Sequence, residues 1–385
     1  MEKMKKSKYN VAVIGAGVVG LEMLRVLKQR NFPVNQLKVF ARSARDINVD
    51  GQIYSVESIT PNGFNGIDIA LFAGTEGEKG AAVTFAAEAV KRGAVVIDNG
   101  ADFRMDPKVP LVVPEVNARD LNLIRNWLLV KKHRPEGRGL ASGSQSHKGI
   151  IANPNCSTIQ MVVALNPIHK KFRIKRIIVT TLQASSGAGK GAVEQLNNEI
   201  TQIAQGMFNS VQVNVANRSM PQQLAYNCFP HIGSFAEGDY TDEEWKLVKE
   251  THKIMHAPKI KISATTVRVP VRIGHSESIY IETEKAATPY EARKILANSA
   301  GIIVIDEPKK NLYPMPKDVE GKDETFVGRI RQDVFNKKGL WLWVVADNLR
   351  KGAATNAVQI AECLISSSKL NTTVRIIMAG RCKTT

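Results

Sequence analysis

Tyr9-Asn10-Val11-Ala12-Val13-Ile14-Gly15-Ala16-Gly17-Val18-Val19-Gly20-Leu21-Glu22-Met23-Leu24 decides the architecture of this chain. A short apolar run ends in three glycines spaced G-x-G-x-x-G, and apolar residues then recur at helical spacing over Val19–Arg30. The run reads as a buried strand and the second pattern as a helix. Glycines between them permit a tight turn and close helix–strand packing, and the free N–H groups at the helix start favour an anion. In this strand–turn–helix order the motif is a dinucleotide fingerprint, with Gly15, Gly17, Val18, Val19 and Gly20 as the contact candidates.

Working outward, strands are predicted at Leu37–Ala41, Ile67–Ala73 and Ala94–Asp98, with a helix over Lys79–Arg92. This alternation predicts an α/β unit, a Rossmann-type doubly wound parallel sheet. Ala73 and Gly74, at the end of the Ile67–Ala73 strand, join the cofactor candidates. After the second strand comes Phe40-Ala41-Arg42-Ser43-Ala44-Arg45. An acidic residue here would accept the ribose 2′-OH of NAD, whereas Arg42 and Ser43 suit a 2′-phosphate and point to NADP. Asp46 keeps an NAD reading open.

From Arg176 onward the pattern changes. Strands at Ile177–Leu182, Lys259–Ser263, Thr266–Ile273, Ser278–Glu282 and Leu340–Val345, with fewer helices, predict an α+β domain with a mixed, largely antiparallel sheet. Gly352–Ser366 is again helical and apolar on one face, which predicts its return to the first domain. The expected boundaries are 1–152, completed by 353–385, and 153–352. Residues 125–148 read as an inserted, basic, exposed loop whose charge serves solubility.

With 385 residues the chain is long enough for two domains, and its 43% apolar content is that of an ordinary globular protein. No run of eighteen apolar residues and no signal-peptide pattern occurs, so no membrane role and a cytoplasmic location are expected. The four cysteines form no C-x-x-C pair and read as free thiols, with Cys228, Cys363 and Cys382 structural or on the surface. A net charge of +17 predicts anionic partners. No basic stripe is interleaved with aromatics, so small polyanions are favoured and no nucleic acid partner is expected. His252 and His256 have metal-ligand spacing but lack the glutamate of H-E-x-x-H, and no metal is predicted.

Three further stretches carry chemistry. Asn153-Pro154-Asn155-Cys156-Ser157-Thr158 places a thiol at the start of an apolar helical run, where N–H groups and the helix dipole favour the nucleophilic thiolate. Gln183 is followed by the glycine-rich Ala184-Ser185-Ser186-Gly187-Ala188-Gly189-Lys190-Gly191, which is no Walker A loop because Gly191 stands where Ser or Thr is needed. Arg268-Val269-Pro270-Val271-Arg272-Ile273-Gly274-His275-Ser276-Glu277 reads as a strand ending at a histidine, with Arg268 and Arg272 on one face. An arginine suits a carboxylate and the histidine a general acid/base.

Together with Asp98–Arg104, Glu250–Lys253 and Asp347–Ala354, these segments closely resemble the aspartate-β-semialdehyde dehydrogenase family, in the family's order and across nearly the whole chain. The resemblance implies NADP-dependent reduction of L-aspartyl-4-phosphate to L-aspartate 4-semialdehyde with release of phosphate, in the branch leading to lysine (through diaminopimelate), threonine and methionine. It implies Cys156 as the nucleophile of a thioester, His275 as acid/base and Gln183 as the residue orienting the thioester. It also implies Arg268 on the substrate α-carboxylate, Glu250 on its amino group, Arg104 and Lys253 on phosphate, and Asn155 in the substrate site. Ser186, Gly187, Gly189 and Asn348 would line the nicotinamide end. A homodimer is implied, with a homotetramer as the alternative. The Arg268–Glu250 pair, suited to a free amino acid, argues against the N-acetylglutamyl-phosphate and glyceraldehyde-3-phosphate types. The complete Cys156, Gln183, Arg268 and His275 set argues against a silent binding protein. The plain six-residue glycine loop, and Gly100-Ala101 in place of a pair of serines, depart from the family pattern.

Overall fold

Two sheets organise the computed structural model, which describes residues 6–74, 80–122, 124, 149–206 and 219–366. The chain forms two units, Met1–Asn155 with Ala353–Thr385, and Cys156–Gly352. The predicted loop 125–148, Lys79, Cys382 and the stretch 367–385 lie outside the described residues.

In the first unit the order is β1 (Tyr9–Ile14), α1 (Val18–Gln29), β2 (Val34–Ala41), β3 (Arg45–Val49), β4 (Gln52–Ser58), β5 (Ile69–Phe72), α2 (Ala81–Lys91), β6 (Val95–Asp98) and β7 (Ile150–Ala152). The sheet runs β3-β4-β2-β1-β5-β6-β7, and every pair except β3–β4 is parallel. This is the predicted α/β sheet. β1 and β5 are buried on both faces, as parallel strands covered by helices are. Val11, Val13, Met23, Leu24, Leu71 and Ile97 share a core with Ala357, Val358 and Ala361 of the helix Thr355–Ile365. An Arg30–Glu362 ion pair (2.7 Å) adds to that packing.

The β3–β4 hairpin was absent from the sequence reading. Only Val49 and Val56 are buried along it, so the apolar alternation that marks a strand is thin. Its turn is Asp50-Gly51, both at positive φ (52° and 82°), the residue pair that two-residue hairpins select.

The second unit contains α3 (Cys156–Phe172), β8 (Ile174–Gln183), α4 (Lys190–Ala204), α5 (Asp242–Met255), β9 (Lys261–Arg268), β10 (His275–Thr283), α6 (Pro289–Ala297), β11 (Ile302–Val304), β12 (Thr325–Gln332) and β13 (Gly339–Ala346). The sheet order is β11-β12-β13-β10-β8-β9. The three central pairings are antiparallel and the two outer ones parallel, giving the expected mixed sheet. α3 packs on β8, β10, β12 and β13.

Two strand expectations are corrected here. Lys259–Ser263 and Thr266–Ile273 are not separate strands, because β9 runs unbroken from Lys261 to Arg268 and stops there. His275 does not end a strand but begins β10. Pro270 has no N–H to give a ladder, and Gly274 at φ 96° turns the chain, so residues 269–274 form a connection.

Candidate active site

The sheet of the second unit brings the chemistry together in two rows. β8 and β9 end in register at Gln183 and Arg268, and Thr181 faces Thr266 two residues inward. On the other side of β8, Glu277 pairs with Thr181, and β10 runs back from there to His275. Residues two apart on a strand share a face, so Arg268, Gln183 and His275 form one row and Thr266, Thr181 and Glu277 the next.

His275 is fully buried. The Ala184 N–H donates to its Nδ1 (3.1 Å). A ring nitrogen that accepts from a backbone amide cannot also carry a proton, so the neutral ring carries its proton on Nε2. Nε2 has no hydrogen-bond partner among the described residues. Burial, reinforced by the Arg268 charge, holds the imidazole pKa well below its usual 6.5, so the ring is neutral at pH 7.

Arg268 is buried and donates from Nη1 to the Ala184 carbonyl (2.6 Å), while its Nε has no partner among the described residues. Burial lowers its pKa, opposed by Glu243 and by Cys156. Gly187 passes close by, and a Cβ there would lie 3.1 Å from His275 Cε1 and 3.2 Å from both His275 Nε2 and Arg268 Nη1. Arg272 behaves differently. It lies in the connection, is exposed and pairs with Glu320 (2.6 Å). It does not share a strand face with Arg268.

Gln183 donates to Glu243 Oε1 (3.0 Å) from a buried position. Glu243 sits on α5 two turns before Glu250, which is also buried, so both carboxyls lie on one helix face, while Lys253 is half-buried. The helix is fixed at its start by a capping box between Thr241 and Glu244, and Glu244 also accepts from the Thr266 N–H of β9 (2.9 Å). Glu243 was missed by the sequence reading; its seven-residue spacing from Glu250 is the signal that marks it.

The glycine-rich loop is pinned through Ser185 N–H to the Val271 carbonyl (2.8 Å) and Ser186 N–H to the Arg272 carbonyl (3.1 Å). Asn348 joins it, donating to Ser186 Oγ (2.9 Å) and accepting from the Gly274 N–H (2.9 Å). Gly189, at φ 87°, opens α4.

Cys156 is the first residue of α3, a 17-residue helix with no acidic residue in its first turn. Its thiol is half-buried. Gly352 presses against it, since a Cβ at 352 would lie 2.9 Å from Cys156 Cβ and 3.3 Å from its Cα. Gly352→Ala is therefore expected to shift the thiol and lower kcat by roughly tenfold to a hundredfold, the scale of a misplacement near 1 Å. Steady-state kinetics, with the alkylation rate of Cys156 beside them, check this.

The first unit carries Arg104, Asn155 and the glycine turn. Arg104 is buried, donating to the carbonyls of Asn153 (3.0 Å) and Asn99 (2.9 Å). Asn356 donates to Asn153 Oδ1 (2.7 Å) and to the Val112 carbonyl (2.9 Å), which fixes the segment leading to Asn155. At the glycine turn, a Cβ on Gly20 would fall 1.7 Å from the Gly15 carbonyl oxygen, and one on Gly15 would lie 3.2 Å from the Ala73 carbonyl and 3.3 Å from the Gly74 nitrogen. Gly17 has open space around it and caps α1 without a side-chain hydrogen bond. Bare N–H groups at a helix start, approached over a glycine, fit a pyrophosphate. Arg42 and Ser43 are exposed just past β2. Elsewhere, His252 Nε2 pairs with the Ile260 carbonyl (2.7 Å), Cys228 is exposed and Cys363 is buried.

The profile described as "Semialdehyde dehydrogenase, NAD binding domain" matches residues 10–124, and that described as "Semialdehyde dehydrogenase, dimerisation domain" matches 165–351. A relative named aspartate-semialdehyde dehydrogenase from Aquifex aeolicus is 51% identical, covering 93% of this chain and 98% of its own. The chain belongs to the aspartate-semialdehyde dehydrogenase family. It is an oxidoreductase of that kind, with an NAD(P)-binding and a dimerisation domain. The crystal structure of aspartate semialdehyde dehydrogenase II complexed with ASA from Vibrio cholerae is similar at TM-score 0.82 and 40% identity, covering 94% of this chain and 99% of that one. The Candida albicans family structure with NADP is similar at TM-score 0.67 and 25% identity, covering 93% and 98%. Among the described residues, no helix is long and apolar enough to cross a membrane.

Proposed function

We propose that this chain converts L-aspartyl-4-phosphate to L-aspartate 4-semialdehyde and phosphate, with NADP as cofactor, through a thioester on Cys156, with His275, the acid/base candidate, serving through its Nε2–H as donor to the reacting oxygen. The observation that carries this reading is a helix-start thiol in the same unit as a buried arginine and an imidazole whose Nε2 lacks a protein partner.

Cys156 Sγ attacks the acyl carbon, the C–S bond forms and the C–O bond to phosphate breaks. The departing phosphate takes the thiol proton, so the step needs no stronger base. Arg104 and Lys253 hold the phosphate, and Asn155 helps line the substrate site. Arg268 takes the substrate α-carboxylate and Glu250 its ammonium, while Gln183, held by Glu243, orients the acyl group. The nicotinamide, when bound, would supply a hydride for reduction of the thioester. His275 Nε2–H meets the oxygen that becomes an alkoxide, an oxyanion donor fixed in advance by Ala184. The alkoxide re-forms C=O, the C–S bond breaks, and its electron pair returns to sulfur. There the α3 N-terminus and the Arg268 charge stabilise the thiolate. Gly187, Gly189, Ser186 and Asn348 would line the nicotinamide end.

Gly15, Gly17, Val18, Val19, Gly20, Ala73 and Gly74 would cradle the pyrophosphate, and Arg42 with Ser43 the 2′-phosphate. The NADP-bound Candida albicans relative is in keeping with this. The partner is a second copy of the chain. Away from α3 the sheet shows Ile178, 37% exposed, with half-buried Trp341 and Trp343, apolar surface that suits pairing of two sheets. Cys228 and Cys363, neither of them in a disulfide, suit the cytoplasm.

Mixing the protein with L-aspartate 4-semialdehyde, phosphate and NADP should give phosphate-dependent NADPH formation. Arg42→Glu should lower kcat/KM for NADP by about tenfold to a hundredfold and leave that for NAD within a fewfold. No turnover with either cofactor overturns the substrate; equal losses with both overturn the 2′-phosphate contact.

A further inference from the structure

Gln160 and Glu277 are fully buried in the second unit, and no step above uses them. Gln160 lies one turn after Cys156 on α3, so the two share a helix face. Its Nε2 donates to the backbone carbonyl of His275 (3.3 Å). Its Oε1 has no hydrogen-bond partner among the described residues. Glu277 is two residues past His275 on the same face of β10. Both of its carboxyl oxygens likewise have no such partner among the described residues, and Gln160 is the polar side chain set against it. Its cross-strand neighbours are Thr181 and Val344.

A buried carboxylate without a cation or donor is costly, whereas a carboxylic acid has a proton to give. Gln160 Oε1 needs a donor. The two deficits cancel when the Glu277 O–H donates to Gln160 Oε1. Burial pushes the Glu277 pKa well above the usual carboxyl range, outweighing the opposing effect of the Gln160 amide, in keeping with the acid form.

We propose that Gln160 and Glu277 are a positioning pair, in which the Glu277 acid O–H orients the Gln160 amide so that its Nε2 ties the Cys156 helix to the His275 backbone. This rests on the reading of Cys156 and His275 as the reacting pair. The amide has a defined orientation only if something holds its oxygen; otherwise it can turn over and point Oε1 at the His275 carbonyl. The thiol and the imidazole stand on different elements, and a buried hydrogen bond between those elements fixes their separation where a small misplacement is costly.

The test compares Glu277→Gln, Glu277→Met, Gln160→Met and the double variant Gln160→Met/Glu277→Met. Glutamine at 277 keeps an N–H donor at nearly the same place, so kcat should stay within about twofold of wild type. Methionine at either site removes the link and should lower kcat by roughly tenfold, with KM for the aldehyde within about twofold. The double variant should lose no more than the worse single one, the sign of a coupled pair. Thermal midpoints keep a folding effect apart, because Glu277→Gln and Glu277→Met must differ in kcat by more than their stabilities explain. Equal losses in the two Glu277 variants overturn the acid donor. Full activity in Gln160→Met overturns the tie. Activity of Cys156→Ala and His275→Ala, measured alongside, reports separately on the underlying reading; if both remain active, that reading fails, whatever the pair does.

Discussion

Cys156→Ser should lower turnover by about a thousandfold or more, with the variant folded and still able to bind cofactor. The loss comes from the pKa of the attacking atom. The N-terminus of a 17-residue helix, with no carboxylate in its first turn, favours an anion at position 156, and Arg268 adds a positive charge. A helix N-terminus and a nearby cation favour the thiolate over the thiol, but a serine hydroxyl starts far too high for the same field to ionise it. Steady-state rates in both directions check this, together with the pre-steady-state burst of cofactor reduction at low phosphate, which should vanish. More than about a tenth of wild-type activity in the serine variant would falsify the thioester route.

His275→Asn should lower kcat by roughly a hundredfold to ten-thousandfold and change KM for the aldehyde far less, because the donor is needed where charge develops on oxygen. The acid side of the pH profile carries the sharper test. Burial, then the Arg268 charge, hold the folded imidazole pKa well below 6.5, so wild-type rates should not fall with an imidazole titration at 6.5. Stability shows the same depression. In the unfolded chain the ring takes up a proton as pH drops past 6.5, while in the folded protein it does not. This contribution to stability is complete above 6.5 and is lost as pH falls toward the folded value. Urea unfolding across that interval should be less pH-dependent in His275→Asn than in wild type. An equal slope in both would remove the argument for a neutral ring.

The parts of this molecule that announce themselves in sequence are those where backbone geometry restricts the residue. Gly15 and Gly20 are contacts that a methyl group would break, so the glycine turn and its flanking strand and helix are readable from single letters. Cys156 is readable because it opens an apolar helical run. Asp50-Gly51 is a hairpin-turn pair by its letters, yet the strands beside it bury only Val49 and Val56 and so carry little apolar alternation. Arg268 and Arg272 alternate correctly for one strand, yet Pro270 and Gly274 end the ladder and send Arg272 to solvent. Periodicity records spacing and not where a strand stops. Gln160, Glu243 and Glu277 are hidden for another reason. As letters they look like polar surface residues, and only the helix and sheet laid over them turn them into interior groups.

The two places where the chain passes between its units, after Asn155 and after Gly352, have a consequence for biosynthesis. Cys156–Gly352 is one continuous stretch, complete as soon as residue 352 has left the ribosome. The nucleotide-binding core instead combines Val11, Leu24 and Leu71 with Ala357, Val358 and Ala361, separated by nearly the whole polypeptide. During translation the half made first is thus the half finished last, against the usual N-terminal-first order. All residues of the unit that holds the thiol are therefore synthesised before the core of the nucleotide-binding unit is complete. Truncation a few residues short of the helix Thr355–Ile365 would keep that thiol in a chain whose first sheet lacks the Ala357, Val358 and Ala361 side of its interior.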